Sequence, residues 1–151
     1  MFAYAYDEER ACALFLFTGK SNDDDDFVRY LASIDDLDVR AAGRSDAAII
    51  TLVEEGNPPP NAKWRRAIGE QSSRTKTRPV GALVSSSPLI RGVVTVLDWL
   101  APKRFEQHVA VATFEEAITW IEARRGPRRA IFLALRERAR AAAREQARPP
   151  T

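Results

Sequence analysis

A mixed α/β sheet with helices packed over it is the fold class that the sequence predicts, on three observations. Two short apolar segments near the N-terminus are joined by a polar turn. Three later apolar runs, bounded by proline, glycine or serine, alternate with segments of helical periodicity. The length, 151 residues, suits one domain with a real core. A strand–turn–strand start followed by helix–strand repeats gives an antiparallel pair and then, through right-handed crossovers, parallel strands. The expectation is a mixed sheet of five strands with about four helices over residues 1–126, followed by an arginine-rich helical or partly disordered tail over 127–151.

Each element has its own signal. Phe2, Tyr4 and Tyr6 alternate with Ala3 and Ala5, the period of a strand, and after the polar Asp7–Arg10 the run Ala11–Thr18 forms the other arm of a hairpin. Ser21 or Asn22 caps a helix whose first turn holds Asp23–Asp26, where the helix dipole favours carboxylates; Phe27, Tyr30, Leu31 and Ile34 give it one apolar face. Ala47–Val53 is continuous and β-branched, as a strand buried on both faces should be. Pro58–Pro60 end it, since proline donates no hydrogen bond and restricts the preceding residue. A helix from about Asn61 carries Trp64 and Ile68 and fades near Ser72. Val80–Ser86 is the fourth strand, and Ser87-Pro88 opens an apolar helix, Leu89–Leu100, bearing Trp99 and stopped by Pro102. Phe105–Ala112 is the fifth strand. Thr113 with Glu116 three residues on is a capping box for a helix carrying Phe114, Ala117, Ile118 and Ile121. Gly126-Pro127 marks a boundary. Beyond it Ile131, Phe132 and Leu135 dock a turn or two, and the chain from about Arg136 reads as polar all round and protruding.

Composition bounds the function classes. The apolar share of 45% and charged share of 29% are those of a globular chain. Apolar runs such as Ala11–Phe17 and Val93–Leu97 are too short to span a bilayer, and MFAYAYDEER lacks the basic start and apolar stretch of a signal peptide. One cysteine, Cys12, allows no intrachain disulfide, which suits a reducing compartment; the cytoplasm is the expected location. The net charge of +2 hides an asymmetry. Residues 1–60 hold five basic and thirteen acidic side chains, and residues 61–151 hold eighteen basic and eight acidic. The favoured reading is that these charges meet within the fold or between subunits of a homodimer. A nucleic-acid surface on the tail and Lys63–Arg78 is the rival, disfavoured because no aromatic residues are interleaved with the basic ones.

The motifs exclude more than they assign. Thr18-Gly19-Lys20-Ser21 invites a phosphate-loop reading, but the glycine needed five residues before Gly19 is Leu14, so no backbone cradle forms. The consecutive carboxylates Asp23–Asp26 point in different directions on a helix and make no calcium loop. His108 is the single histidine, with no partner set for a transition metal and no G-x-S-x-G elbow for a hydrolase. Ser85–Ser87, at a strand-to-helix junction, read first as caps, and Cys12 as a core thiol. No cofactor is called for.

One stretch, Ser85–Arg124, resembles the C-terminal half of small bacterial proteins of the STAS-like, anti-sigma-factor-antagonist-like group. The residues that carry the resemblance are the serine-rich strand end, Arg91-Gly92, Trp99, and Thr113–Ala117 before Trp120. The resemblance implies two strands followed by alternating helices and strands over roughly residues 1–125, and a protein-binding role. Some members of the group switch by phosphorylation of a serine after the third strand. Here that loop, Glu54–Pro60, carries no hydroxyl residue, so what is implied is docking without the switch. The expected function is thus a non-catalytic protein–protein interaction or regulatory module. Its expected docking residues are Glu54, Glu55, Asn57, Ser85, Ser86 and Ser87, gathered at the carboxyl ends of parallel strands. Carriage of a small apolar ligand between sheet and helices is the other alternative.

Overall fold

The computed structural model describes residues 1–93 and 107–148. Five strands form one sheet in sequential order: β1 (Phe2–Asp7), β2 (Cys12–Phe17), β3 (Ala48–Val53), β4 (Val80–Val84) and β5 (His108–Val111). β1 is antiparallel to β2, and β2 to β5 are parallel, as the hairpin and crossover arguments require. The register aligns Ala5, Leu14, Ile50, Ala82 and Val109 in one row across all five strands. Part of the predicted apolar helix (residues 94–100, with Trp99), the stop at Pro102 and the start of the predicted fifth strand at Phe105 lie outside the described residues.

The sequential order puts the helices that connect consecutive parallel strands on one face, because each right-handed crossover advances in the same direction. α1 (Asp24–Arg40) and α2 (Ala62–Arg74) occupy that face with residues 88–93, which are helical. After β5 the chain crosses over. α3 (Phe114–Arg125) covers β3 to β5 from the other side, and α4 (Arg129–Gln146) covers β1 and β2. Two cores result. Cys12, Leu14 and Leu16 point toward α3 and α4 with Ile118, Ile121, Phe132 and Leu135. Ala13, Phe15 and Phe17 point toward α1 and α2 with Phe27, Ile34 and Trp64. β2 is buried at all six positions, which is why its sequence is apolar without alternation.

Two local expectations change. The N-cap of α1 is Asp23 rather than Ser21 or Asn22: its carboxylate accepts from the Asp26 N–H at 2.8 Å, while Asp26 reaches back to the Asp23 N–H at 3.1 Å. An acidic pair thus supplies the capping box that serine or threonine with glutamate usually makes. The last helix does not end after a turn or two and does not protrude. α4 runs eighteen residues, and Phe132, Leu135, Ala139 and Ala143 recur on one face, all buried against β1 and β2. The sequence hid this because the stripe is completed by alanines set among arginines; small residues let the helix lie close to the sheet while the long side chains spread to either side. No helix among the described residues is long and apolar enough to cross a membrane.

Candidate functional site

The carboxyl ends of β2, β3, β4 and β5 share one rim, and the chain leaves each of them toward the start of a helical stretch. At the end of β3, Glu54–Asn57 forms a β-turn closed by the Asn57 N–H on the Glu54 carbonyl at 3.1 Å. Gly56 takes φ +86° there, a conformation that side chains disfavour. Glu54 is held between neighbours: the Thr18 hydroxyl donates to it at 2.6 Å, and Arg140 of α4 bonds it at 3.0–3.1 Å. Glu55 is exposed.

Asn57 departs from its expected role. The sequence offers it as a small polar residue that a partner approaches, but its side chain is turned inward and the residue is 4% exposed. Its Nδ2 donates to the Thr18 and Gly19 carbonyls at 3.2 and 3.1 Å and to Asn22 Oδ1 at 2.9 Å, while Asn22 Nδ2 returns a bond to Asn57 Oδ1 at 2.8 Å. This clasp fastens the β3 loop to the β2 loop, and a bulky substitution cannot preserve it. Thr18–Ser21 is thereby occupied: two of its carbonyls face an amide, and the Glu54 carboxylate on the Thr18 hydroxyl repels an incoming phosphate.

At the end of β4, Ser85 is buried and its hydroxyl accepts from the Ser87 N–H at 3.2 Å; Ser87 Oγ accepts from the Ile90 N–H at 3.4 Å. The second is a capping bond, and the first is a serine turn that precedes it. Arg91 folds back onto the Ser85 and Ser86 carbonyls at 2.8 and 3.0 Å, and Ser86 is exposed. Leu89, next to this turn, is 71% exposed, a large apolar side chain at the start of the apolar helix that the sequence predicts. Of the six expected docking residues, the rim therefore presents Glu55 and Ser86 outward. Glu54, Asn57 and Ser85 are engaged in holding it together, and Ser87 is half-buried as a cap.

Behind the rim lies a cavity of about 110 Å³ between the sheet and the helices. Phe15, Phe17 and Ile49 floor it, Phe27, Ile34 and Ile68 roof it, and Pro58–Pro60 with the Asn22–Asn57 clasp flank its rim end. α2 packs chiefly on α1, where Trp64 stacks on Phe27 with ring centroids 5.1 Å apart and donates its indole N–H to Asp24 at 2.8 Å. Asp24 also pairs with Lys63 at 3.0 Å. These contacts prop α2 over the cavity. His108 lines it too, its ring crossing Gly81 of β4 so closely that a Cβ at Gly81 would lie 2.5 Å from the imidazole.

The remaining chemistry-bearing residues are placed structurally. Cys12 is fully buried, and burial pushes its thiol up to about 11, so it is protonated at neutral pH. Among the described residues no group of three histidine, cysteine or acidic side chains converges as a metal site. Several arginines of α4 are used within the fold: Arg138 donates to the Tyr6 carbonyl at 3.1 Å, Arg140 pairs with Glu54, and Arg136 lies over the Phe114 ring at 4.6 Å. No family model matches the chain, and comparison with curated proteins and with solved structures gave no significant match.

Proposed function

We propose that the chain is a non-catalytic binding module of STAS-like type that docks a protein partner on the carboxyl rim, without a phosphoswitch serine in the β3 loop. One observation carries this reading: a stiff, clasped loop beside an exposed apolar side chain. Pro58–Pro60 and the Asn57 bonds fix the β3 loop before any partner arrives, which lowers the entropy lost on binding. Leu89 offers apolar area on the same rim that carries the exposed Glu55 and Ser86, whereas the exposed Val28 and Val39 lie on α1, away from that loop. The strand order supports a flat docking surface over a nucleotide crevice. Open α/β sheets bind dinucleotides where the strand order reverses, and β2 to β5 run in sequence with no reversal.

The test uses substitutions that leave the clasp intact. Leu89→Asp and Glu55→Arg are expected to abolish retention of the protein that the native chain captures from its own cell extract, with the circular dichroism spectrum unchanged. Val28→Asp, at a 55% exposed position on α1, is expected to retain it. Capture that survives both rim substitutions and is lost with Val28→Asp sinks the reading.

A second reading, carriage of a small apolar ligand, is favoured by the cavity beneath α2. Its volume of about 110 Å³ is well below the roughly 300 Å³ at which pockets for drug-sized ligands begin, so it suits a cargo much smaller than a lipid.

A further inference from the structure

We propose that the cavity beneath α2 binds a single aromatic ring carrying one hydrogen-bonding group, a phenol in chemical class. This rests on the ligand-carrying reading of the cavity and is independent of docking at the rim.

Size sets the first limit. At about 110 Å³ the cavity is of the order of the ~150 Å³ apolar void that accepts benzene in another protein, so it takes one ring and no more. The walls set the second. Phe15, Phe17, Phe27 and Tyr30 surround the space with ring faces and edges, and such rings favour an aromatic guest in offset or edge-to-face contact.

Polar groups set the third limit. Ser72, from α2, lines the cavity and is only 5% exposed, and Thr51, from β3, lines it from the sheet side. Neither hydroxyl makes a hydrogen bond among the described residues; the nearby Thr75 hydroxyl bonds the Ser72 carbonyl and leaves the Ser72 hydroxyl untouched. Both hydroxyls keep some access to solvent, so a guest that displaces the water on them forfeits those hydrogen bonds unless it replaces them. A hydrocarbon would leave Ser72 and Thr51 unpaired. A ring with one hydroxyl satisfies at least one of them while its apolar face meets the phenylalanines. Pro58–Pro60 and the Asn22–Asn57 pair border the cavity on its rim side.

Phenol and toluene, similar in size and different in that one group, are the probes, added to the full chain. Both are expected to raise the melting temperature with increasing concentration, with phenol the tighter. Ser72→Ala, which favours the helix, is expected to weaken phenol about five-fold, the loss of one neutral hydrogen bond, and to leave toluene within two-fold. In the unsubstituted chain, methyl resonances of Ile34 and Ile68 should move with either probe, while Ile121, in the core on the other face of the sheet, stays still. Toluene binding that equals phenol binding and is unaltered by Ser72→Ala overturns the phenol assignment and leaves the carrier reading standing. Absence of any shift at Ile34 and Ile68 with both probes at millimolar concentration overturns both.

Discussion

Asp26 joins the first helix to the edge of the sheet through a single buried carboxylate. It accepts from the Phe2 N–H at 2.8 Å and the Asp23 N–H at 3.1 Å, and pairs with Arg29 at 2.6 Å. Burial alone would raise its pKa, but the Asp23 N–H and the further donors around it hold the carboxyl below the ordinary carboxylate range. The sign follows from linkage. A carboxyl with a depressed folded-state pKa contributes stability above its unfolded value, near 4, and that contribution is lost as pH falls through the folded value. The chain should therefore lose stability below about pH 4, and Asp26→Asn should flatten that part of the urea-unfolding profile while lowering stability at neutral pH by about 2 kcal/mol, because it leaves donors short of a charged acceptor. A profile for Asp26→Asn parallel to the native one between pH 5 and 2 would contradict this. At this scale the sequence was only partly legible. The acidic first turn was visible, but the Phe2 partner is 24 residues away and the Asn22–Asn57 bonds span 35, distances at which spacing carries no information.

Among the elements, α4 differs most from its sequence signature. It covers the inner face of β1 and β2, and Arg138 bonds the Tyr6 carbonyl of β1, the strand at the edge of the sheet. The Asp26 bond to Phe2 plugs the other end of that strand, so side chains occupy backbone groups that would otherwise pair with a second chain. A chain shortened to residues 1–135 loses the buried Ala139 and Ala143, the Arg138 bond and the Arg140–Glu54 pair. It should melt about 10 °C or more below the full chain, the effect of roughly 3 kcal/mol on a domain of this length, and should associate with rising concentration. Equal melting temperatures would mean that α4 rests on the sheet without stabilising it. The strands were the most legible elements, since β2, β3 and β4 are apolar runs between punctuating turns. α4 was the least, since hydropathy gives weight to arginine and little to the alanine stripe that makes the contact.

For the molecule as a whole, the sequential sheet explains the arrangement of everything else. Advancing in one direction, the connecting helices stack on one face, and α3 and α4 must return across the other to cover it. The charge asymmetry of the sequence is met partly inside this frame, where basic α4 reaches acidic residues from the first half of the chain through Arg140 and Glu54. The order of elements was legible because each crossover needs its own helical segment. Which rim residues face outward was not, because Leu89 looks like core in any apolar-periodicity reading and Asn57 looks like surface in any turn reading. The proposed docking rim is formed by residues 54–61 and 85–89. Hydrogen exchange on the captured complex tests it directly. Backbone amides in those two segments are expected to exchange more slowly in the complex, with α4 and the outer face of α1 unchanged. Protection confined to α4 or α1, with both rim segments exchanging as in the free chain, would contradict it.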